Sequence, residues 1–255
     1  MQKKLVAIIL MMFSSVACAE SIASLSTGFD SSSGNYGGTT PTKVLYIPFT
    51  GQYLTDHFTL KLTVPYIKVT STGTNTVVRG LGRFRPPVTT TTTTITSQAG
   101  LGDVVASASY TILESDYLNL DLVGGVKFGT ADANKNLSTG ENDYSTQLDG
   151  YYGVNRTTFF ATAGYRKVGA PTGVTVKSIG FGSLGLSQKT GDSSSIGIMF
   201  DAAQGSSAFN PGTSELTLFA STKISNSSKI QLSLMKGFSD SSPEYGLGLM
   251  LSGSF

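Results

Sequence analysis

Apolar and polar residues alternate with a period of two along most of the chain after residue 20. The stretch 117–128 shows the pattern, with Leu118, Leu120, Leu122, Val126 and Phe128 on one face and Asn119, Asp121 and Lys127 on the other. The stretches 103–112, 228–238 and 245–255 repeat it. A period of two is that of β-strands whose two faces meet different surroundings. Because stretches with helical periodicity are absent after residue 20, the pattern predicts an all-β fold.

Twelve such segments follow one another, joined by connections that are short and long in turn. They are predicted at about 21–30, 43–54, 57–70, 100–114, 116–130, 143–155, 157–169, 176–189, 193–206, 213–225, 228–240 and 243–255. Each segment is long enough for a tilted crossing of a bilayer, which takes roughly 9–11 residues. This layout predicts an antiparallel transmembrane β-barrel with short periplasmic turns and longer extracellular loops.

A soluble β-sandwich would show the same alternation and is the competing interpretation. In hydrocarbon every backbone N–H and C=O must be paired, so only a closed sheet is stable there. The long strands, the alternation of short and long connections and an export signal favour the barrel. The last residue of the last alternating strand is aromatic, Phe255, and resembles the signal that the barrel-assembly machinery recognises.

The first 19 residues have the pattern of a secretory signal peptide. Lys3 and Lys4 form a short basic region, and an apolar run that is too short to span a bilayer follows it. Small residues at 17–19 predict cleavage before Glu20, which leaves 20–255 as the barrel of a Gram-negative outer membrane. A lipid-attachment site at Cys18 is the alternative, although Ser15 stands where such a site prefers Leu.

Composition limits the possible functions of the exported chain. Of the 255 residues only 13% are charged, and removal of Lys3 and Lys4 leaves 16 basic and 16 acidic residues. A neutral chain of this kind excludes nucleic-acid binding through bulk positive charge. The single cysteine excludes a disulfide framework. No motif indicates a cofactor.

The polar faces of the strands supply the candidate functional residues, which are predicted to line the lumen. They are Asp103, Asp121, Lys127, Gln147, Asp149, Arg166, Glu215 and Lys223. Charges of both signs along a barrel interior set the selectivity of a water-filled path. Alternatively, these charges pair with one another and plug the lumen, because small barrels fill with side chains.

Three motifs between 100 and 166 resemble a known group of proteins. They are Gly100-Leu101-Gly102-Asp103, the segment from Gly125 to Thr130, and the segment from Ser138 to Tyr144, and the strand containing Ala163-Gly164-Tyr165-Arg166 follows them. The chain in this respect resembles the outer-membrane proteins named for transport in the phenol-degradation meta-pathway. Gly129 stands where that family usually carries Pro. The resemblance implies a channel or transporter for small solutes, aromatic or apolar compounds among them.

Other features suggest alternative chemistry. His57, the only histidine, lies beside a predicted turn, where a solvent-exposed role is more common than catalysis. Residues 132–143 carry oxygen ligands at alternate positions like a calcium loop, but Leu137 stands where that loop needs Gly, which favours a polar extracellular loop.

The connection 71–99 contains Arg79, Arg83, Arg85 and a threonine run. Its arginines could meet lipopolysaccharide phosphates, its threonines could extend a strand pair, or it could fold into the lumen.

The sequence therefore predicts a non-enzymatic channel of the cell outer membrane, porin-like, that passes small solutes by passive or facilitated diffusion. Its expected partners are outer-membrane lipid, lipopolysaccharide, a small-molecule solute and the barrel-assembly machinery. A non-conducting surface, adhesion or structural barrel is the alternative, which a conductance measurement would separate from transport. An outer-membrane hydrolase is a third interpretation, which loss of hydrolysis in His57→Ala would support.

Overall fold

The computed structural model describes residues 22–36, 41–71, 75–78, 89–92, 96–135, 137–171, 173–207 and 210–255. Strands dominate this part of the chain, and the predicted signal peptide 1–19 lies outside it. The strands are β1 (Ile22–Gly34), β2 (Thr42–Leu54), β3 (Phe58–Ser71), β4 (Asn75–Val78), β5 (Thr89–Thr92), β6 (Thr96–Leu101), β7 (Val104–Glu114), β8 (Leu118–Phe128), β9 (Asp143–Val154), β10 (Thr157–Lys167), β11 (Ile179–Lys189), β12 (Ser194–Ser207), β13 (Asn210–Lys223), β14 (Ser228–Gly237) and β15 (Tyr245–Ser254). A short 3-10 helix, Ala133–Lys135, follows β8.

All described strands except β4 and β5 form one closed antiparallel sheet. Each strand from β7 to β14 pairs with the next along the chain, and β1 pairs with both β2 and β15. The pairing of β3 with β2 and with β7 closes the sheet into a barrel. Strands β6 and β7 lie end to end along β3 and together make one crossing. The predicted twelve-stranded antiparallel barrel is therefore confirmed. Among the described residues, no helix is long and apolar enough to cross a membrane.

The prediction of one continuous strand over 100–114 is wrong. The register with β3 shifts between Tyr66↔Leu101 and Thr63↔Val105, so that residues 102–104 face only two residues of β3. One of those two is Pro65, whose carbonyl accepts a hydrogen bond from the Gly102 amide at 2.8 Å. Proline has no N–H to return a bond, so the ladder is interrupted there. The bulge separates β6 from β7.

The connection 71–99 contains a strand pair, as one interpretation expected. Strand β4 pairs with β5 in antiparallel register, and β5 lies within the threonine run. The β-branched residues of this run favour the extended backbone. Arg79, Arg83 and Arg85 lie outside the described residues.

The outward face of the barrel is apolar and exposed. Leu184 is 66% exposed and Leu25 is 56% exposed, which a soluble protein of this size would not repeat around its whole circumference. Tyr117, Tyr152, Phe159 and Phe58 lie near the short-turn ends, and Tyr66, Tyr144, Tyr165 and Tyr245 lie near the long-loop ends, all exposed. Two aromatic belts that flank an apolar band are typical of an outer-membrane barrel. The protein is a barrel of the outer membrane.

Candidate functional site in the barrel interior

Alternate residues of every barrel strand face the lumen, and they include a set of buried acids. Asp30 of β1, Asp201 of β12 and Glu215 of β13 are 8%, 4% and 5% exposed. Asp201 and Glu215 lie directly opposite each other across the β12–β13 ladder. Carboxylates at such depth need polar surroundings or water, because an apolar environment penalises their charge. The middle of the barrel is therefore polar on this wall.

A cavity of about 60 Å³ lies beside these acids. Its lining comes from six strands, β1, β2 and β12 to β15, and combines the three carboxylates with Tyr46, Met199, Phe219 and Met250. Such a mixture of carboxylate, aromatic and thioether groups offers both polar and apolar contacts to a small molecule. The cavity thus offers both polar and apolar contacts to a small solute in the lumen.

Three phenylalanines point into the lumen and lie over glycines of adjacent strands. A Cβ on Gly185 would be 2.4 Å from the ring of Phe160, and a Cβ on Gly164 would be 2.3 Å from that of Phe181. Phe219 covers Gly197 in the same way, at 2.2 Å. The Phe160 and Phe219 rings are 6.4 Å apart between centroids. Glycine thus leaves room for each ring against the wall of the neighbouring strand.

The outer end of the lumen contains a cluster of charges around Asp103. Its carboxylate accepts hydrogen bonds from Lys127 Nζ at 2.9 Å, Ser138 Oγ at 2.7 Å and the Ala131 amide at 3.0 Å. Lys127 Nζ also lies 3.5 Å from Asp143. Asp103, Lys127 and Asp143 are all less than 9% exposed. Charges buried to this degree persist because each has both a counter-charge and hydrogen bonds.

Arg166 extends this cluster along β10. It is 4% exposed, its guanidinium carbon is 5.5 Å from the centroid of the Phe181 ring, and it interacts electrostatically with Asp143. The Asp143 carboxylate in turn accepts the Gly169 amide at 2.9 Å. The three motifs that carry the family resemblance therefore meet in space, since Asp103, Lys127 and Ser138 come from one motif each.

The segment 129–142 folds into the outer mouth of the barrel. Leu137 is 1% exposed and belongs to an apolar cluster with Tyr36, Val44, Tyr46, Ile67, Val69 and Ala131. A Cβ on Gly100 would be 3.0 Å from Leu137, and Lys135 Nζ donates to the Ala99 carbonyl at 3.3 Å. Leu137 is thus an apolar anchor within the predicted polar extracellular loop, because apolar residues of β2 and β3 line the mouth and bury its side chain.

Glycines at two positions allow this fold. Gly140 has φ = +76°, a conformation that favours glycine, and a Cβ on Gly129 would lie 2.3 Å from the Gly140 carbonyl carbon. The Gly129 amide donates to Asn142 Oδ1 at 2.9 Å. Proline at position 129, which the resembling family usually has, could not make that bond.

A second polar group lies deeper, on β8 to β10. Asp149 accepts two bonds from Gln147 Nε2, both at 3.0 Å, and one from Thr162 Oγ1 at 2.5 Å. Asp121, opposite Asp149 in the β8–β9 ladder, accepts Thr111 Oγ1 at 2.8 Å. Six of the predicted lumen residues therefore form two separate groups, with Asp103, Lys127 and Arg166 in one and Asp121, Gln147 and Asp149 in the other.

The remaining predicted residues lie elsewhere. Glu215 borders the cavity. Lys223 is exposed at the short-turn end of β13, opposite Lys229 in the β13–β14 ladder. Phe255 is 80% exposed, and its backbone amide donates to the Ala23 carbonyl at 2.8 Å, so the last residue continues the β15–β1 seam.

Sequence reasoning missed the lumen-facing apolar residues and several acids. Phe219 lies an even number of positions from Glu215 and Thr217 on the same strand, and Phe160 lies two positions from Thr162, so each ring shares a face with polar residues. This position in the alternation was the signal that could have found them. The same parity argument would have found Asp30 and Asp201. Selecting only polar side chains as lumen candidates left out the aromatic part of the lining.

Residues proposed for other chemistry do not come together. His57 is exposed at the β2–β3 turn, with its ring 6.4 Å from that of Tyr110. Within the described part of the chain, no group of three His, Cys, Asp or Glu side chains could hold a metal ion. In the calcium-like segment, Asp132 Oδ1 accepts the Asn134 amide at 3.0 Å, a local turn bond.

Comparison with known proteins identifies the architecture. No protein-family model and no curated protein sequence matches the chain. The COG4313 outer membrane channel from Pseudomonas putida F1 superposes with a TM-score of 0.71 at 12% identity, over 95% of this chain and 98% of that chain. The NanC porin gives 0.55 at 8% identity (91% and 98%) and the KdgM porin 0.53 at 12% (91% and 99%). The chain thus has the fold of outer-membrane β-barrel channels, which agrees with the resemblance noted in its motifs.

Proposed function

We propose that this barrel is a channel through which small solutes cross the outer membrane by passive or facilitated diffusion. The observation that carries the proposal is the lumen cavity, where Asp30, Asp201 and Glu215 lie beside Phe219 and methionine side chains. Charged groups along a pore select among solutes, so acids beside this cavity suit a solute path.

The proposed solutes are small aromatic or apolar compounds, which contact Phe219, Tyr46 and Met199 in turn as they pass. Aromatic rings stack on one another with a modest gain of free energy, and methionine adapts to irregular shapes. The same proposal includes removal of residues 1–19 on export. It also includes recognition of Phe255 by the barrel-assembly machinery, for which its exposed ring is available.

The test is single-channel conductance of the refolded protein in a planar bilayer, with and without phenol. Steady conductance that phenol reduces is the expected result. The variant Phe219→Ala removes a lumen ring and is expected to raise conductance and weaken the phenol block. Phe200→Ala removes a ring from the outward face, 42% exposed, and serves as the matched control. Block that is unchanged in Phe219→Ala would contradict the proposed solute path.

A non-conducting surface or structural barrel is the second candidate. The folded mouth favours it, since Leu137 is almost fully buried and Lys127 is paired with Asp103 there. Complete electrical silence from a protein whose circular dichroism shows an intact barrel would support this second function over the channel.

A further inference from the structure

Charged residues are distributed very unequally between the two faces of the wall. Among the described strand residues, every acid occupies an inward position of the alternation, namely Asp30, Asp121, Asp143, Asp149, Asp201, Glu215 and, at a strand end, Glu114. The outward positions hold four charged residues, all lysines: Lys43, Lys68, Lys167 and Lys236. All four lie at the long-loop, extracellular ends of their strands.

Three of these lysines lie on β14, β2 and β3, on the two sides of the barrel seam. Across β14, β15, β1 and β2, the register aligns Lys236 with Tyr245, Tyr245 with Ser33, and Ser33 with Lys43. Three strand spacings separate the two lysines, roughly 14 Å. Lys68 on β3 lies opposite Leu45, two residues from Lys43 along β2. We call Lys236, Lys43 and Lys68 the lysine row.

One local contact holds Lys236 of the lysine row at the membrane boundary. Lys236 Nζ lies 4.0 Å from the centroid of the Tyr245 ring, a cation–π contact that fixes the ammonium over an exposed girdle residue. Lys43 and Lys68 are exposed. Long side chains of this kind lay their methylenes on the apolar surface and extend the charge to the interface.

If these lysines only extended their ammonium groups to water, either end of the strands would suit them. The described strands place their outward lysines only at the extracellular ends, and the lysines of the opposite ends, Lys189, Lys223 and Lys229, take inward positions. This asymmetry matches a membrane whose outer leaflet carries the negative charge. In a Gram-negative outer membrane that leaflet consists of lipopolysaccharide, with phosphates at the two ends of the lipid A disaccharide.

We propose that the lysine row binds the phosphates of one lipopolysaccharide molecule against the outside of the barrel. Lysine ammonium groups bind phosphate as point charges. The exposed hydroxyl of Thr70 beside Lys43 shares a hydrogen bond with Ser97 Oγ at 3.2 Å, and with Ser97 as the donor it can itself donate to a phosphate or sugar oxygen. The site lies on the opposite side of the wall from the lumen cavity. It is therefore independent of the channel function.

The experiment measures binding of bisphosphorylated lipid A to the refolded full chain by native mass spectrometry in detergent. The variant Lys43→Gln/Lys68→Gln/Lys236→Gln is expected to bind on the order of a hundredfold more weakly, because each lysine near an anionic membrane surface adds to affinity. The variant Lys189→Gln/Lys223→Gln/Lys229→Gln loses the same charge at the inward, periplasmic positions and is expected to bind as the parent does. A barrel circular dichroism spectrum and heat-modifiable migration verify the fold of both.

Competition experiments distinguish the phosphorylated lipid from other anions. Dephosphorylated lipid A, phosphatidylglycerol vesicles and inorganic phosphate are each expected to displace bisphosphorylated lipid A poorly. Equal binding by the parent and the lysine-row variant would overturn the proposal. Equal displacement by phosphatidylglycerol or inorganic phosphate would overturn it as well, because it would mean a general attraction for anions. Conductance in bilayers free of lipopolysaccharide reports on the channel separately.

Discussion

At the scale of single residues, Lys127 is the cation on which two buried carboxylates depend. Its ammonium contacts Asp103 at 2.9 Å and Asp143 at 3.5 Å, and all three side chains are almost fully buried. Replacement of one member of a buried ion pair leaves an uncompensated charge and typically costs about 3–5 kcal/mol. We therefore expect Lys127→Met to lower the free energy of unfolding by about that amount, as measured by urea titration in lipid vesicles.

The matched control is Lys229→Met, at an exposed inward position of the opposite end, which should leave the free energy of unfolding nearly unchanged. A second variant, Asp103→Asn combined with Lys127→Met, removes one of the two carboxylate charges together with the ammonium. It should be less destabilised than the sum of the single changes, because paired groups couple. Strict additivity would mean that the ion pair does not stabilise the mouth.

At the scale of elements, the segment 129–142 is anchored by one apolar side chain. Leu137 is 1% exposed within the cluster that includes Ile67 and Val69. In Leu137→Ser the segment should leave the mouth, because a buried leucine contributes about 2–5 kcal/mol and a hydroxyl there would lack partners. Faster proteolysis within 129–142 and a larger single-channel conductance are the expected results.

Ala133→Ser tests the same segment at an exposed position of the 3-10 helix and should change neither proteolysis nor conductance. If Leu137→Ser were cleaved no faster than the parent chain, the segment would be held by its polar contacts instead. The bonds from Ser138 and Ala131 to Asp103 are the contacts that would then be responsible.

At the scale of the whole molecule, the bilayer acts as the solvent of the outer surface. Leu232 lies near the middle of β14, faces outward and is 46% exposed. An arginine at the bilayer midplane of a barrel costs about 2–4 kcal/mol, and the cost falls to about 0–1 kcal/mol near the interfaces. We expect Leu232→Arg to lower the free energy of unfolding in phospholipid vesicles by about the midplane amount.

Lys236→Arg, on the same face of the same strand at the extracellular rim, should leave the free energy of unfolding almost unchanged. Equal effects at Leu232 and Lys236 would mean that depth does not govern the cost. The outward surface would then not be in contact with hydrocarbon as the barrel requires.

The alternation of residues determined most of the architecture. A period of two assigns each side chain to one of two faces, and paired backbone groups in hydrocarbon require closure, so the strand number, the antiparallel order and the aromatic belts followed from the sequence. The same rule put Asp103, Asp149 and Glu215 on the polar face. Information of this kind is local, because the face on which a residue lies depends only on its position along its own strand.

Tertiary structure alone decided what meets inside the barrel. That Asp103 binds Lys127 and Ser138, that Leu137 reaches Gly100, and that Phe219 lies over Gly197 depend on the register between strands and on the path of the loops. Proline at position 65 interrupts one ladder through its missing N–H, an effect that appears only once its partner strand is known. Contacts between residues distant in sequence follow from closure of the sheet, and no local pattern encodes them.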